Sequence, residues 1–196
     1  GVTYEVDKAR ETDYHPRFVE FLRYIQANDL MPGGAMTDSK GDRSLPPSKQ
    51  ADPDQYLHVV EKRKNGIVVR GAKVHQTGAV NSHEIIVVPT RALGPDEADW
   101  AVAFSVPADT KGMIYFFGRQ GNDNRKWEDK IDQGNPQYGV VGGEALIVFE
   151  DVFVPWERVF LYWETDFAGL IVERFTALHR QNYGGCKVGV ADVLIG

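Results

Sequence analysis

The sequence predicts an α+β fold in which a central β domain is flanked by helices. Apolar residues recur at helical spacing near the start of the chain. The middle carries short apolar runs separated by Gly, Pro, Asp and Asn, and helical spacing returns after Pro155 with no further proline. This layout predicts three units: the end of a helical domain at 1–30, the β domain at 31–160, and the start of a second helical domain at 161–196.

Composition limits the classes of protein that the chain can represent. It has 196 residues, 42% of them hydrophobic, and a net charge of −6 from 22 basic and 28 acidic side chains. That length suffices for a sizeable core, and the acidic balance without a basic run argues against nucleic-acid binding. No apolar run approaches the length of a membrane span, and the first residues do not resemble a signal peptide. We therefore expect a cytoplasmic protein with no nucleic-acid or membrane partner.

The first predicted element is a short amphipathic helix preceded by Pro16. Its apolar positions follow the i, i+3, i+4, i+7 pattern: Phe18, Phe21, Leu22 and Ile25. From Leu30 to Pro53 the chain has too many Gly and Pro residues for regular structure, so we expect a long loop. Loops of that length in compact domains are usually functional or disordered.

The β domain is predicted from its two-residue periodicity. Residues 57–62 and 67–70 flank Lys64-Asn65-Gly66, and an Asn-Gly pair supplies the positive φ angles of a tight hairpin. Further apolar runs of strand length follow at 84–88, 100–106, 113–117 and 146–149. This series of short strands predicts a β-barrel or sandwich.

Reactive side chains are densest in the second helical segment. His179, Tyr183, Cys186 and Lys187 stand at i, i+4, i+7 and i+8, so a helix places them along one stripe. His179 and Cys186 would be about 10 Å apart along the axis, which suits a bulky iron cluster better than one small ion. The alternative is a packed core histidine and a small buried cysteine, and spacing alone favours it. The Gly184-Gly185 pair weakens the helix here.

Three other polar features are candidates for a binding site. The run at 74–82 follows a strong strand and could hydrogen-bond a planar heterocycle. In the loop at 36–43, Gly41 permits close approach and Arg43 could pair with a phosphate. Glu144 could be a general acid or base if it is buried. The alternatives are an ordinary β connection, a surface loop and an exposed turn carboxylate.

Longer stretches resemble known families. Residues 146–160 resemble the passage from the β domain into the C-terminal helices of the acyl-CoA dehydrogenase superfamily, which implies a central β-barrel. Residues 37–44 are similar to the loop of the branch that contains the 4-hydroxyphenylacetate 3-hydroxylases. The helical stripe at 179–187, with Thr77 and Glu144, resembles the 4-hydroxybutyryl-CoA dehydratase family, whose members are also vinylacetyl-CoA delta-isomerases. The resemblance covers essentially the whole chain.

The resemblance implies two cofactors, FAD and a four-iron four-sulfur cluster held by three cysteines and one histidine. The matching ligands here are His179 and Cys186. The other two would belong to a Cys-x-x-x-Cys motif before Gly1, so we expect a fragment truncated at both ends. The resemblance also implies an acyl-CoA substrate and a homotetramer.

Roles for individual residues follow from the same resemblance. The reaction would convert 4-hydroxybutyryl-CoA to crotonyl-CoA by a radical route, with His179 as cluster ligand and α-proton base. Tyr183 and Lys187 would polarise the thioester or the leaving hydroxyl, Glu144 would relay a proton, and Thr77 would hydrogen-bond the flavin. The candidate flavin contacts are Met36, Thr37, Asp38, Asp42, Arg43, His75, Gln76 and Thr77.

Two further functions remain open at this point. A flavin-dependent aromatic hydroxylase of the 4-hydroxyphenylacetate type would share the fold without needing Cys186 or a cluster. A non-catalytic flavin- or acyl-CoA-binding fragment is the third possibility.

Overall fold

The computed structural model describes residues 1–117 and 144–195 and has mixed helix and strand content, as predicted. The helices are α1 (Val2–Arg10), α2 (Tyr14–Ala27) and α3 (Thr165–Ile195). The strands are β1 (Pro32–Ala35), β2 (His58–Arg63), β3 (Gly66–Thr77), β4 (Glu84–Val87), β5 (Val102–Pro107), β6 (Met113–Phe117), β7 (Glu144–Pro155) and β8 (Val159–Tyr162). The limits of the three predicted domains stay a prediction.

The described strands form two four-stranded sheets. Sheet A has the order β1-β4-β5-β8, and β1 runs parallel to β4 while its other pairs are antiparallel. Sheet B has the order β2-β3-β7-β6 and is antiparallel throughout. Within 1–117 and 144–195 neither sheet closes on itself, so the barrel expected from the resemblance is not confirmed.

The hydrophobic core lies between the two sheets and under α2. Phe104 of β5 and Phe149 of β7 meet edge to face across the sheets, with ring centroids 6.1 Å apart. Phe18 and Phe21 of α2 pack on Phe160 of β8 at 5.2 and 5.5 Å. The helical stripe predicted from the apolar spacing is therefore confirmed, because this face of α2 covers the end of sheet A.

The segment after α2 is more regular than predicted. The glycines of this segment predict a break in regular structure, yet β1 runs through Gly33 and Gly34 and pairs with β4. Gly33 is buried, and a Cβ added there would lie 2.5 Å from the Ser82 Oγ atom. Because Gly33 has no side chain, β1 can lie close to Ser82 and β4. Here the glycine supports strand pairing instead of interrupting it.

The hairpin of β2 and β3 forms as predicted, but its turn differs. Arg63 pairs with Gly66, so Lys64 and Asn65 make the turn, and neither Asn65 nor Gly66 has a positive φ. A Cβ on Gly66 would lie 2.2 Å from the Val154 carbonyl oxygen. Gly66 is therefore required by the close approach of β7, and the positive-φ reason was wrong.

The predicted C-terminal helix is confirmed as α3. It continues through Gly184 and Gly185 without a break. The first helix, α1, was predicted only as part of the helical unit at 1–30. None of the helices in the described parts of the chain is long and apolar enough to cross a membrane.

The glycine in the hairpin supplies a test of this packing. Gly66→Ala forces a methyl group against the β7 backbone, which should lower the free energy of unfolding by about 1–3 kcal/mol. Gly34→Ala is the matched control, because nothing lies within 4 Å of a Cβ there. Urea denaturation followed by circular dichroism measures both. Equal stability of the two variants would contradict the close approach.

Candidate functional site

Three of the predicted site residues meet at one end of sheet B. Thr77, the last residue of β3, pairs in register with Glu144, the first residue of β7. The Thr77 Oγ1 atom donates a hydrogen bond to Glu144 Oε1 over 3.3 Å, and His75 Nδ1 lies 3.3 Å from Glu144 Oε2. His75 and Thr77 are both exposed. We call Thr77, His75 and Glu144 the sheet-end cluster.

A β-bulge in β3 presents these side chains. Lys73 pairs with Ile147 and Gln76 pairs with Ala145, so β3 has one more residue than β7 between these two pairs. His75 has a φ of +58°, which is uncommon for a residue other than glycine. Bulges of this kind re-aim side chains near the ends of sheets. Here the bulge leaves His75 exposed while Gln76 is buried.

The predicted segment 36–38 lies beside this bulge. The Thr37 carbonyl oxygen accepts hydrogen bonds from the Val74 amide at 2.8 Å and from Gln76 Nε2 at 3.2 Å. Gln76 Nε2 also donates to the Val74 carbonyl oxygen. The buried amide group of Gln76 thus binds the backbone around it. Its role as a flavin contact remains a prediction that this geometry does not favour.

A buried ion pair connects the same segment to β3, and the sequence reasoning missed it. Lys73 Nζ lies 2.9 Å from Asp38 Oδ1 and also donates to the carbonyl oxygens of Met36 at 2.8 Å and Val88 at 2.9 Å. These contacts use all three N–H donors of a lysine. Asp38 Oδ1 accepts a further bond from the Leu57 amide. The Asp38 Oδ1 atom is therefore bound within the core, and the role of Asp38 as a flavin contact stays a prediction.

Both members of this pair are strongly desolvated. Burial raises the pKa of the Asp38 carboxyl and lowers the pKa of the Lys73 ammonium, while their mutual attraction acts against both changes. Asp38 is 4% exposed and Lys73 is 2% exposed. The burial of Lys73 could have been predicted from the alternation of side chains along β3, because Lys73 is four residues after the buried Val69 and therefore lies on the same face of the strand.

Asp42 and Arg43 belong to a separate, self-supported loop. Gln50 Nε2 donates to the Asp42 carbonyl oxygen at 2.8 Å, and its Oε1 accepts from the Asp42 amide at 3.1 Å. Hydrogen bonds from Ser44 lower the pKa of Asp42. Arg43 is exposed, as a phosphate-binding residue would have to be.

Helix α3 is attached to the rest of the fold near its start. Glu164 accepts hydrogen bonds from the Tyr14 hydroxyl at 3.1 Å and from the Tyr162 amide at 3.0 Å, and burial raises the pKa of its carboxyl. Arg10 pairs with Asp166 at 2.6 Å. These contacts orient the helix on which the remaining predicted site residues lie.

Only one of those helical residues has a described side chain. His179 is exposed, and its ring stacks on Phe175 with centroids 5.4 Å apart. The backbone positions of Tyr183, Cys186 and Lys187 lie in α3, but their side chains are outside the described residues. Among the described side chains, no three His, Cys, Asp or Glu groups come together in a way that could hold a metal.

A groove of about 720 Å³ lies on the outer face of sheet B. Its floor includes Ile114, Leu146 and Val148. Its rim includes Arg70 and Asp151, which form an ion pair at 2.7 Å. Leu146 is two residues from Glu144 on β7, so the apolar floor adjoins the sheet-end cluster. An apolar groove with polar groups at one end suits a heterocycle or an acyl chain.

Comparisons with known proteins identify the family of this chain. A model of the family described as 4-hydroxyphenylacetate 3-hydroxylase N terminal matches residues 1–161. The chain belongs to this hydroxylase family. The match covers both helices before the sheets and almost all of the strands, including the sheet-end cluster.

The relatives that this chain resembles differ in the reactions that their names describe. The 4-hydroxybutyryl-CoA dehydratase/vinylacetyl-CoA-Delta-isomerase of Clostridium aminobutyricum is 58% identical over 100% of this chain and 40% of its own length. An oxygen-tolerant archaeal 4-hydroxybutyryl-CoA dehydratase from N. maritimus has a TM-score of 0.92 at 50% identity, covering 100% of this chain and 39% of that one. The oxygenase component of 4-hydroxyphenylacetate 3-monooxygenase with FAD has a TM-score of 0.67 at 28% identity, covering 85% and 34%. The chain thus spans about two fifths of the dehydratases that it matches.

Breaking the buried pair should be costly. Lys73→Met leaves the Asp38 carboxylate uncompensated, so the free energy of unfolding should fall by about 3–5 kcal/mol. Lys49→Met removes an exposed lysine and serves as the control. Chemical denaturation measures both, and a loss below about 1 kcal/mol for Lys73→Met would argue against a charged pair.

Proposed function

We propose that this chain is part of a 4-hydroxybutyryl-CoA dehydratase with vinylacetyl-CoA delta-isomerase activity, and that it contributes the flavin-facing end of the site. The observation that carries the proposal is the joining of Thr77, His75 and Glu144 at the end of sheet B, in a chain 58% identical to such an enzyme. The substrate would be an acyl-CoA. The family resemblance adds the expectation that the full-length enzyme is a homotetramer.

The residues around the sheet-end cluster fit a flavin. A flavin ring needs an apolar surface for its face and hydrogen-bonding groups for its edge, and the groove floor and the Thr77 hydroxyl offer both. The related oxygenase component has been solved with FAD, which supports the same cofactor here. When bound, FAD supplies electron transfer. Met36 and Thr37 would contribute from the adjoining segment, and Arg43 could reach a phosphate from its loop.

Glu144 is the described residue best placed to move a proton. Its two carboxylate oxygens contact Thr77 Oγ1 and His75 Nδ1, so a proton can pass between these groups without a change of fold. The carboxylate is partly exposed at the end of the sheet, where a substrate can approach. We assign Glu144 the role of proton relay and Thr77 the role of flavin hydrogen-bond partner.

The iron–sulfur cluster would use His179 and Cys186 of α3. The two positions are seven residues apart on one helix, about 10 Å along the axis, which side chains can bridge to a single cluster. Cys186 is the only cysteine in the 196 residues, so the remaining thiolates must come from elsewhere in the protein. When bound, such a cluster acts as a Lewis acid. Tyr183 and Lys187 would then polarise the thioester or the leaving hydroxyl.

A flavin-dependent aromatic hydroxylase is the second candidate. The family model and the FAD-bound oxygenase structure favour it, since both concern hydroxylation. Such an enzyme has no need of Cys186. The higher identity to the solved dehydratase, 50% against 28% for the solved oxygenase, makes the dehydratase the stronger proposal.

Substitutions on α3 distinguish the two reactions. In the full-length enzyme, Cys186→Ala and His179→Ala should each abolish dehydratase activity and lower the iron content, because each removes a cluster ligand. Bound FAD should be retained. His83→Ala, immediately before β4, is the control and should keep the dehydratase activity and the iron content. Full dehydratase activity in Cys186→Ala would exclude Cys186 as a cluster ligand. If the enzyme is a hydroxylase, its activity should be unchanged in this variant.

The flavin contact can be tested separately. Thr77→Val removes the hydroxyl group and should weaken FAD binding about three- to tenfold, the value of one hydrogen bond. Thr110→Val removes a hydroxyl that binds the Pro107 carbonyl oxygen, at the opposite end of β6 from the site. Fluorescence titration of the apoenzyme with FAD compares the two. An equal change in both variants would count against a specific role for Thr77.

A further inference from the structure

We propose that Lys73 is a positioning residue for the flavin site and acts through the backbone of Met36–Asp38. This inference rests on the proposed flavin function of that segment. Lys73 lies in β3 four residues before Thr77, and its side chain is directed into the core between the sheets. It was not among the residues predicted from the sequence.

The contacts of Lys73 fix the segment at two points. Its Nζ atom holds the Met36 carbonyl oxygen at 2.8 Å and the Asp38 carboxylate at 2.9 Å. The third bond, to the Val88 carbonyl oxygen at 2.9 Å, joins the end of β4 to the same point. Residues 36 and 38 are thus bound on either side of Thr37, whose own carbonyl oxygen is held by Val74 and Gln76.

This arrangement places the segment relative to the sheet-end cluster. Ala35 pairs with Val87 in sheet A, and Asp38 forms a bridge with Lys73 in sheet B. The three-residue step between them crosses from one sheet to the other. Because Lys73 and Thr77 are on the same strand, the ammonium group ties the crossing to the strand that carries the proposed flavin contact. A ligand that contacts both residues 36–38 and Thr77 then finds these groups at a fixed distance from each other.

A purely electrostatic role for Lys73 predicts a different result. If Lys73 served only to neutralise Asp38, removal of both charges would restore the site. If Lys73 serves as a donor to backbone oxygens, the variant with both charges removed would still bind FAD weakly. Methionine at position 73 leaves the Met36 and Val88 carbonyl oxygens without their hydrogen bonds from Nζ. Asp38→Asn keeps an oxygen that can accept from the Leu57 amide.

The test therefore uses the double variant Asp38→Asn/Lys73→Met in the full-length holoenzyme. We expect a folded protein whose Kd for FAD rises about tenfold or more, with a shifted visible spectrum and midpoint potential of the flavin that remains bound. The matched control is Glu84→Gln/Arg158→Met, which neutralises an ion pair of a buried carboxylate with a partly buried arginine, at the end of β4 away from Val88. The control should keep the wild-type Kd and spectrum.

The possible results separate this inference from the proposed function. A wild-type Kd and flavin spectrum in the double variant would overturn the positioning role, as would an equal change in the control. Wild-type protein that binds no FAD would instead refute the flavin function itself. Loss of stability with unchanged flavin properties in the folded fraction would identify Lys73 as structural only.

Discussion

The buried pair of Lys73 and Asp38 is the constraint on which the arrangement of the site depends. A charged lysine inside a protein is costly unless its donors are all satisfied and its charge is balanced. Here the Nζ atom meets one carboxylate and two carbonyl oxygens, so both conditions hold. The same three contacts join the segment after β1, the strand β3 and the end of β4. The pair thereby links the two sheets, beside the backbone bond from Val74 to Thr37.

The candidate site is a consequence of this connection and of the bulge in β3. The bulge exposes His75 and Thr77 beside Glu144, while the crossing segment brings Met36 and Thr37 to the same end of sheet B. Residues 37 and 67 positions apart in sequence thus come together, Thr37 with Val74 and Thr77 with Glu144. Helix α3 approaches from its own attachment at Glu164. The sheet-end cluster and the predicted residues of α3 thus lie on separate elements, each with its own attachment to the fold.

Much of the fold could be predicted from local periodicity. Alternation identified β2 and β3, and helical spacing identified α2 and the helix that includes His179, because each pattern reports which face of one element is buried. Strand β1 could not be found in this way, since Gly33 and Gly34 carry no side chains to show a period. The inward turn of Gln76 and the pairing of Asp38 with Lys73 depend on contacts between distant segments. The site residues on α3 came from family resemblance rather than from spacing, which favoured an ordinary core.

We propose that this chain belongs to an enzyme that works with both a flavin and an iron–sulfur cluster. The most direct test is the content of flavin, iron and acid-labile sulfide in the full-length protein purified without oxygen. A dehydratase of this kind should contain one FAD and about four irons with matching sulfide per subunit. Flavin without iron, after anaerobic handling and attempted cluster reconstitution, would contradict the dehydratase and favour the hydroxylase.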